Sequence, residues 1–500
     1  MSGPSTPDRA AAAELLVLSP MALSSGTALS SSKKRRITPT AEASSPKKMA
    51  IITMPGSVSP PSVNQRRPLD QGTLPNPLFQ GTPAQGPQDL SSVRHIILPF
   101  DLQGEPGNAL DTEKRNLILK IFPGTTGIGS DGFFLVLQLR TLPPKPWPLT
   151  IGGVPLHLTV EIASGTPVPQ GRMVSWRNGV IAQDQNGRNM DDWKPLFNAI
   201  KDHFQGIGVS ITEVMYWSSC VMIVLKHRNT DMGKIPSQAA NIRCFYLFDD
   251  EMGRPPAPQA RRLTDPTPGN PDNSQYNTLQ PGLRVTSSHL PSDPDMFLST
   301  TSGVLLKDKL GNQFMTVASH GFPPECGTSV FHAQPGNGRR IGELIMEVAH
   351  TDVALVKLQD TETFSNITFE SDDVPITKHI QLTRFVPTKN RRRFELIYLD
   401  SPDTGLIEAS LILSSYQAIP IDDNSPEQYW VLTNWYYNGQ DSGVNLPEGM
   451  CGTAIWNKEG EVLGFFKYAP KDGVMKDWCA GIAADELINK GYTLVNTSRV

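Results

Sequence analysis

The tightest limit on this chain is set by its last 220 residues, from 281 to 500. They run through many short apolar segments separated by Gly, Pro, Asn and Asp, with one helical stretch near the end, Ala483 to Asn489. Short runs with frequent turn residues suit strands, and that many strands suit a rolled or layered β-domain. The upstream texture is different. Residues 1–92 are rich in Ser, Pro, Thr and Gln with no sustained apolar period, which predicts a disordered tail. Residues 93–252 predict an α/β domain. Strands are expected at His95–Phe100, Leu117–Phe122 and Phe133–Leu139, and Val209–Met215 with Cys220–Leu225 as a hairpin. Asp191 and Asp192 open a helix whose apolar stripe runs through Trp193, Leu196, Phe197, Ile200 and Phe204. Trp217 and Cys220 read as core. Residues 253–280, dense in Pro, Asn, Asp and Gly, read as a linker. The expected whole is multidomain: disordered tail, α/β domain, linker and an all-β domain over 281–500. Its 44 Pro, 41 Gly and 38% hydrophobic share fit a folded chain diluted by such segments.

Charge and cysteines narrow the function classes. A net charge of −4 gives no case for nucleic acid across the whole chain. The basic residues of the tail are nonetheless clustered: Lys33, Lys34, Arg35 and Arg36, then Lys47 and Lys48. Two such clusters across a short spacer resemble a bipartite nuclear-import signal, which predicts a nuclear-import receptor as partner and a nuclear or nucleocytoplasmic, non-secreted protein. A solvated charge run is the plainer alternative. Arg391 to Arg393 read as a solvated loop ahead of a strand. Five cysteines, odd in number and without a C-x-x-C pair, predict neither a disulfide framework nor a zinc site, and no metal or cofactor is expected. No apolar run approaches a membrane span, so no membrane partner is expected.

Three stretches of the last domain carry chemistry. Phe314-Met-Thr-Val-Ala-Ser-His320 is an apolar strand ending in histidine. Asp352-Val-Ala-Leu-Val-Lys-Leu358 puts an aspartate at the mouth of a strand. Gly449-Met-Cys451-Gly452-Thr453 sets a cysteine between two glycines just before a strand. A thiol nucleophile needs a base, the imidazole needs a carboxylate to orient it, and the oxyanion needs backbone N–H donors.

In this order the motifs resemble the trypsin-like (chymotrypsin-fold) peptidases. Thr316-Val-Ala-Ser-His320, Asp352-Val-Ala-Leu355 and Gly449-Met-Cys-Gly-Thr453 are followed by Gly460-Glu-Val-Leu-Gly464. The resemblance implies a double β-barrel with the site between barrels, and a polypeptide substrate or ligand. It implies Cys451 as nucleophile in the place of serine, His320 as base and Asp352 as orienter. It also implies an oxyanion hole from the N–H groups of Gly449 and Cys451, and a substrate edge strand at Phe466, Lys467 and Tyr468. Several alternatives stand beside this reading. Gly439-Gln-Asp-Ser442-Gly443 imitates a serine motif without a following hairpin, and His350 and Asp360 are substitutes for Asp352. A lone cysteine is more often buried structure than a site. The rival function is a catalytically inactive trypsin-like fold that holds peptides without turnover.

Overall fold

The computed structural model describes residues 50–53, 93–103, 110–161, 166–181, 192–255, 261–262, 274–324, 327–333, 338–369, 379–420, 428–440, 446 and 449–496. The basic clusters of the tail, most of the expected linker, Cys326 and Ser442 lie outside these residues. No helix of the described residues is long and apolar enough to cross a membrane.

The chain separates into two compact units that meet in sequence between Thr166 and Pro167. In the first, a six-stranded sheet runs in the order Ala50–Thr53, Val93–Ile97, Thr150–Ile151, Val154–Thr159, Leu135–Leu139, Thr125–Ser130. The expected strand at Leu117–Phe122 is instead part of a helix, Thr112–Ile121. Asp111 caps it, its Oδ1 accepting from Lys114 N at 2.9 Å. Only Ile118 and Ile121 of that helix are buried, a three-residue spacing that suits a helix face, while Leu119 between them is exposed.

In the second unit six strands close on themselves. Leu396–Ser401 pairs with Ala454–Asn457, which pairs with Glu461–Tyr468, then Trp478–Ala483, then Gln428–Tyr437, then Gly405–Pro420, which returns to Leu396–Ser401. A ladder that returns to its first strand is a barrel. All six strands contribute to one interior, with Ile397, Leu399, Leu411, Tyr436, Ile455, Leu463 and Cys479 among its residues. A nine-stranded sheet forms the partner layer, and seven of its strands run in the order Asp293–Thr301, Arg284–Leu290, Ser329–His332, Arg339–Glu347, Val353–Leu358, Gln313–Ala318, Leu305–Lys307. Val285, Leu305, Met315, Val317, Val330, Ile341, Ala354 and Val356 from six of these strands share one core, so this sheet is rolled as well. A further cluster, with Val304, Val353, Tyr398, Trp456 and Phe465, joins the two. The double-barrel expectation for 281–500 therefore holds in its coarse form.

The expected single domain over 93–252 does not hold. Its second part, from Pro167, belongs to the same unit as the barrels. The reason is the 16-residue strand Gly405–Pro420. Its first residues close the barrel, and Ser414 to Gln417 continue outward to pair with Tyr216 to Glu213 of the strand Ile211–Tyr216. The sheet then extends through Cys220–Leu225 and Ile242–Phe248. The helix Lys194–Gly206 buries Leu196, Phe197, Ile200 and Phe204, as its periodicity predicts. Phe197 stacks on Tyr416 of the long strand with ring centroids 4.0 Å apart. Trp217 and Cys220 are buried, as expected. The arginine run is a further correction. Arg391 is almost fully buried and donates to the carbonyls of Val386 and Leu463, so it pins the loop rather than solvating it.

Candidate active site

Three short segments of the second unit converge. The strand Gln313–Ala318 ends in a tight 3-10 turn, Ser319–Gly321, that carries His320. The loop into Val353–Leu358 carries Asp352, whose φ is +66°, with Ala349 and His350 also at positive φ. Such backbone costs free energy for non-glycine residues and persists where surrounding contacts enforce it. Here the contacts are specific. Glu347 accepts from Asp352 N at 2.8 Å through Oε1 and from Ser319 Oγ at 2.9 Å through Oε2. Ser319 N donates to Asp352 O at 2.8 Å. One carboxylate thus ties together the two segments that hold the histidine and the aspartate.

The result is a close pair. His320 Nδ1 lies 2.7 Å from Asp352 Oδ2 and 2.9 Å from Oδ1, and His320 N also donates to Oδ1 at 3.0 Å. Burial disfavours the imidazolium, yet the adjacent Asp352 carboxylate and the Cys451 side chain outweigh it, and the His320 pKa is raised to about 10. Burial works against the Asp352 charge too, but His320 and Lys467 reverse it and hold the carboxyl below its ordinary value. His350 is exposed with its ring against Tyr429, and Asp360 is exposed, so neither substitutes for Asp352 at His320.

Cys451 enters from the six-stranded barrel. Its side chain donates to Lys467 O, with Sγ 2.8 Å from that oxygen, and it is close enough to His320 to contribute to the rise in the imidazole pKa. The turn that bears it is held by the other barrel: Thr301 N and Thr300 Oγ1 donate to Cys451 O at 3.0 and 2.6 Å, and Thr301 Oγ1 donates to Gly449 O at 2.7 Å. Gly449 and Gly452 both have φ near +90°. At Gly452 a Cβ would stand 2.7 Å from Thr301 O and 2.8 Å from Ala318 N, so glycine is required for the turn to dock. Among the described residues the N–H groups of Gly449 and Cys451 have no acceptor, which suits the expected oxyanion role.

The expected edge strand needs one correction. Phe466 donates to Thr453 O and accepts from Gly452 N, so its main chain is already paired within the barrel. Lys467 and Tyr468 follow a register break and remain candidates. Glu347 was not singled out by sequence reasoning, because a glutamate ending an exposed strand carries no pattern. The other described thiols are remote in character: burial pushes Cys220, Cys244 and Cys479 up to about 12.

No family model matches the chain, and no curated protein matches it. Solved structures do. A glutamic acid-specific serine protease that uses a histidine triad in substrate binding is 11% identical, covering 43% of this chain and all of that one with a TM-score of 0.32. An M. tuberculosis protease in its active form is 14% identical over 49% of this chain and 94% of its own, with a TM-score of 0.29. Cellulomonas bogoriensis chymotrypsin is 10% identical over 44% of this chain and all of its own, also with a TM-score of 0.29.

Proposed function

We propose that this chain is a trypsin-like peptidase that hydrolyses peptide bonds with Cys451, His320 and Asp352. One observation carries the reading: residues 32 and 99 positions apart in sequence meet as an imidazole hydrogen-bonded to a carboxylate with a thiol in electrostatic contact with the ring. The thiol gives its proton to His320, and the sulfur attacks the scissile carbonyl. The carbonyl oxygen, now negative, turns toward the N–H groups of Gly449 and Cys451. Collapse expels the amine, which takes the proton from His320, and leaves a thioester on Cys451. Water, deprotonated by His320, then releases the acyl group. Asp352 fixes the ring orientation and supports its positive charge throughout. A polypeptide substrate would align beside Lys467 and Tyr468 by strand addition.

A second reading has its own observation. The Cys451 thiol donates to Lys467 O, which directs its proton away from His320. A fold kept in that state would bind peptides without cutting them. Hydrolysis of a quenched fluorescent peptide library separates the two. The peptidase reading expects turnover that Cys451→Ala abolishes. Peptide binding by wild type without turnover favours the silent module.

A further inference from the structure

The strand Arg339–Glu347 carries one residue more than the strand it pairs with. Leu344 lies opposite Val356 and Met346 opposite Leu355, so Ile345 is extra in the ladder. A bulge of this kind shifts the alternation of every residue beyond it. Counted from Leu344 without the bulge, Glu347 would fall on the outer face of the sheet. With it, Glu347 lies opposite Ala354, a residue of the barrel core. Residues directly opposite in a ladder share a face. Glu347 is accordingly half-buried at the rim of the barrel, while Ile345 and Met346 just before it are exposed.

Two donors meet Glu347 there, one from each segment of the histidine–aspartate pair. Its Oε1 accepts from Asp352 N at 2.8 Å and its Oε2 from Ser319 Oγ at 2.9 Å. Ser319 N donates to Asp352 O at 2.8 Å, which closes a ring of three contacts beside His320. The rest of the loop is closed by its own main chain: Val348 N donates to Val353 O at 2.8 Å and Thr351 N to Val348 O at 3.0 Å. Asp352 N, by contrast, is held by a side chain, at the residue whose φ is +66°.

We infer that Glu347 is a positioning residue: by reaching Asp352 N and Ser319 Oγ at once, it locks the strained Asp352 main chain to the histidine turn and so aims the carboxylate at His320. The inference deepens the peptidase reading, on which its catalytic meaning rests. Asp352 Oδ1 meets both the main-chain N and the ring Nδ1 of His320, at 3.0 and 2.9 Å, an arrangement that needs one orientation of the aspartate against the turn. Without its clamp, Asp352 would relax toward the backbone that non-glycine residues prefer, and its carboxylate would swing off the ring. Asp352 and Cys451 are the groups that raise the proton affinity of the ring, so Glu347 acts on His320 through Asp352.

The test is an NMR titration of the His320 ring in the full chain carrying Cys451→Ala, which needs no turnover. The parent is compared with Glu347→Gln and Glu347→Asp. Gln keeps the reach and loses the charge, whereas Asp keeps the charge and is one methylene too short to span both donors. The Asp variant is expected to lower the His320 midpoint by about one pH unit or more, and the Gln variant to stay close to the parent. Should the Asp variant not fold, Ser319→Ala removes one of the two donors and is expected to move the midpoint the same way. No fall with Asp, or with Ser319→Ala in its place, overturns the inference, and so does a fall with Gln as large as with Asp. If Asp lowers the midpoint while the wild type hydrolyses no peptide, the role of Glu347 stands and the peptidase reading fails.

Discussion

Cys479 belongs to the apolar cluster of the six-stranded barrel and Cys451 packs against it, yet they differ in everything that governs thiol chemistry. Cys479 lies within a strand, has no exposed surface, and finds only Asn438 Oδ1, 3.5 Å away. Burial alone holds its proton on, with a pKa of about 12. Cys451 lies in a turn between two left-handed glycines, is half-buried, and lies near an imidazole whose proton affinity is raised by a carboxylate. Depth in the barrel makes one thiol inert, and a strained turn at its mouth makes the other available. The lesson is that the cluster supports the site without belonging to it.

The sharpest way to break this contrast is by substitution. Cys451→Ala should abolish labelling by an electrophilic peptide probe, and Cys479→Ala should leave it intact while loosening the barrel. Equal loss from both would mean that labelling reports folding rather than chemistry. The next effect tests whether the accessory sheet is integral. Glu213→Leu removes the buried carboxylate that accepts from Arg254 Nη2, Ser415 Oγ and Trp435 Nε1, and should cost about 3–5 kcal/mol in denaturant unfolding of the barrel unit. A cost near zero would detach that sheet from the site.

The smallest effect concerns pH. His320 is raised above its ordinary 6.5, so the stability it gains from Asp352 is full below 6.5 and fades as pH rises through about 10. Asp352 is lowered below its ordinary 3.8, so the same pairing also fades as pH falls below that value. Asp352→Asn should therefore cost about 1.5–3 kcal/mol near pH 5–6 and progressively less toward pH 10. A cost that is flat across this range would mean that the ion pair does not stabilise the fold.

The parts of the site that were legible in sequence are those carried by local pattern. His320 ends an apolar strand, Asp352 opens one, and Cys451 sits between glycines whose backbone needs no side chain to be inferred. The parts that were not legible depend on distant pairing. Nothing near Gly405–Pro420 announces that Ser414 will pair with Tyr216, so the boundary near residue 252 was misplaced. Lys467 reads as an ordinary strand residue, because the register break around it depends on pairing with Trp478–Ala483. Glu347 and Glu213 look like surface charges because their buried partners come from other segments. Leu117–Phe122 was ambiguous for another reason: a short apolar run fits a strand or a buried helix turn equally well.

The most direct test of the central claim is the rate at which Cys451 is alkylated, followed by mass spectrometry across pH in wild type and His320→Ala. Wild type is expected to react about 10²–10⁴-fold faster near neutral pH, and the gap should close where the thiol ionises without help. Equal rates near neutral pH in the two proteins would contradict it.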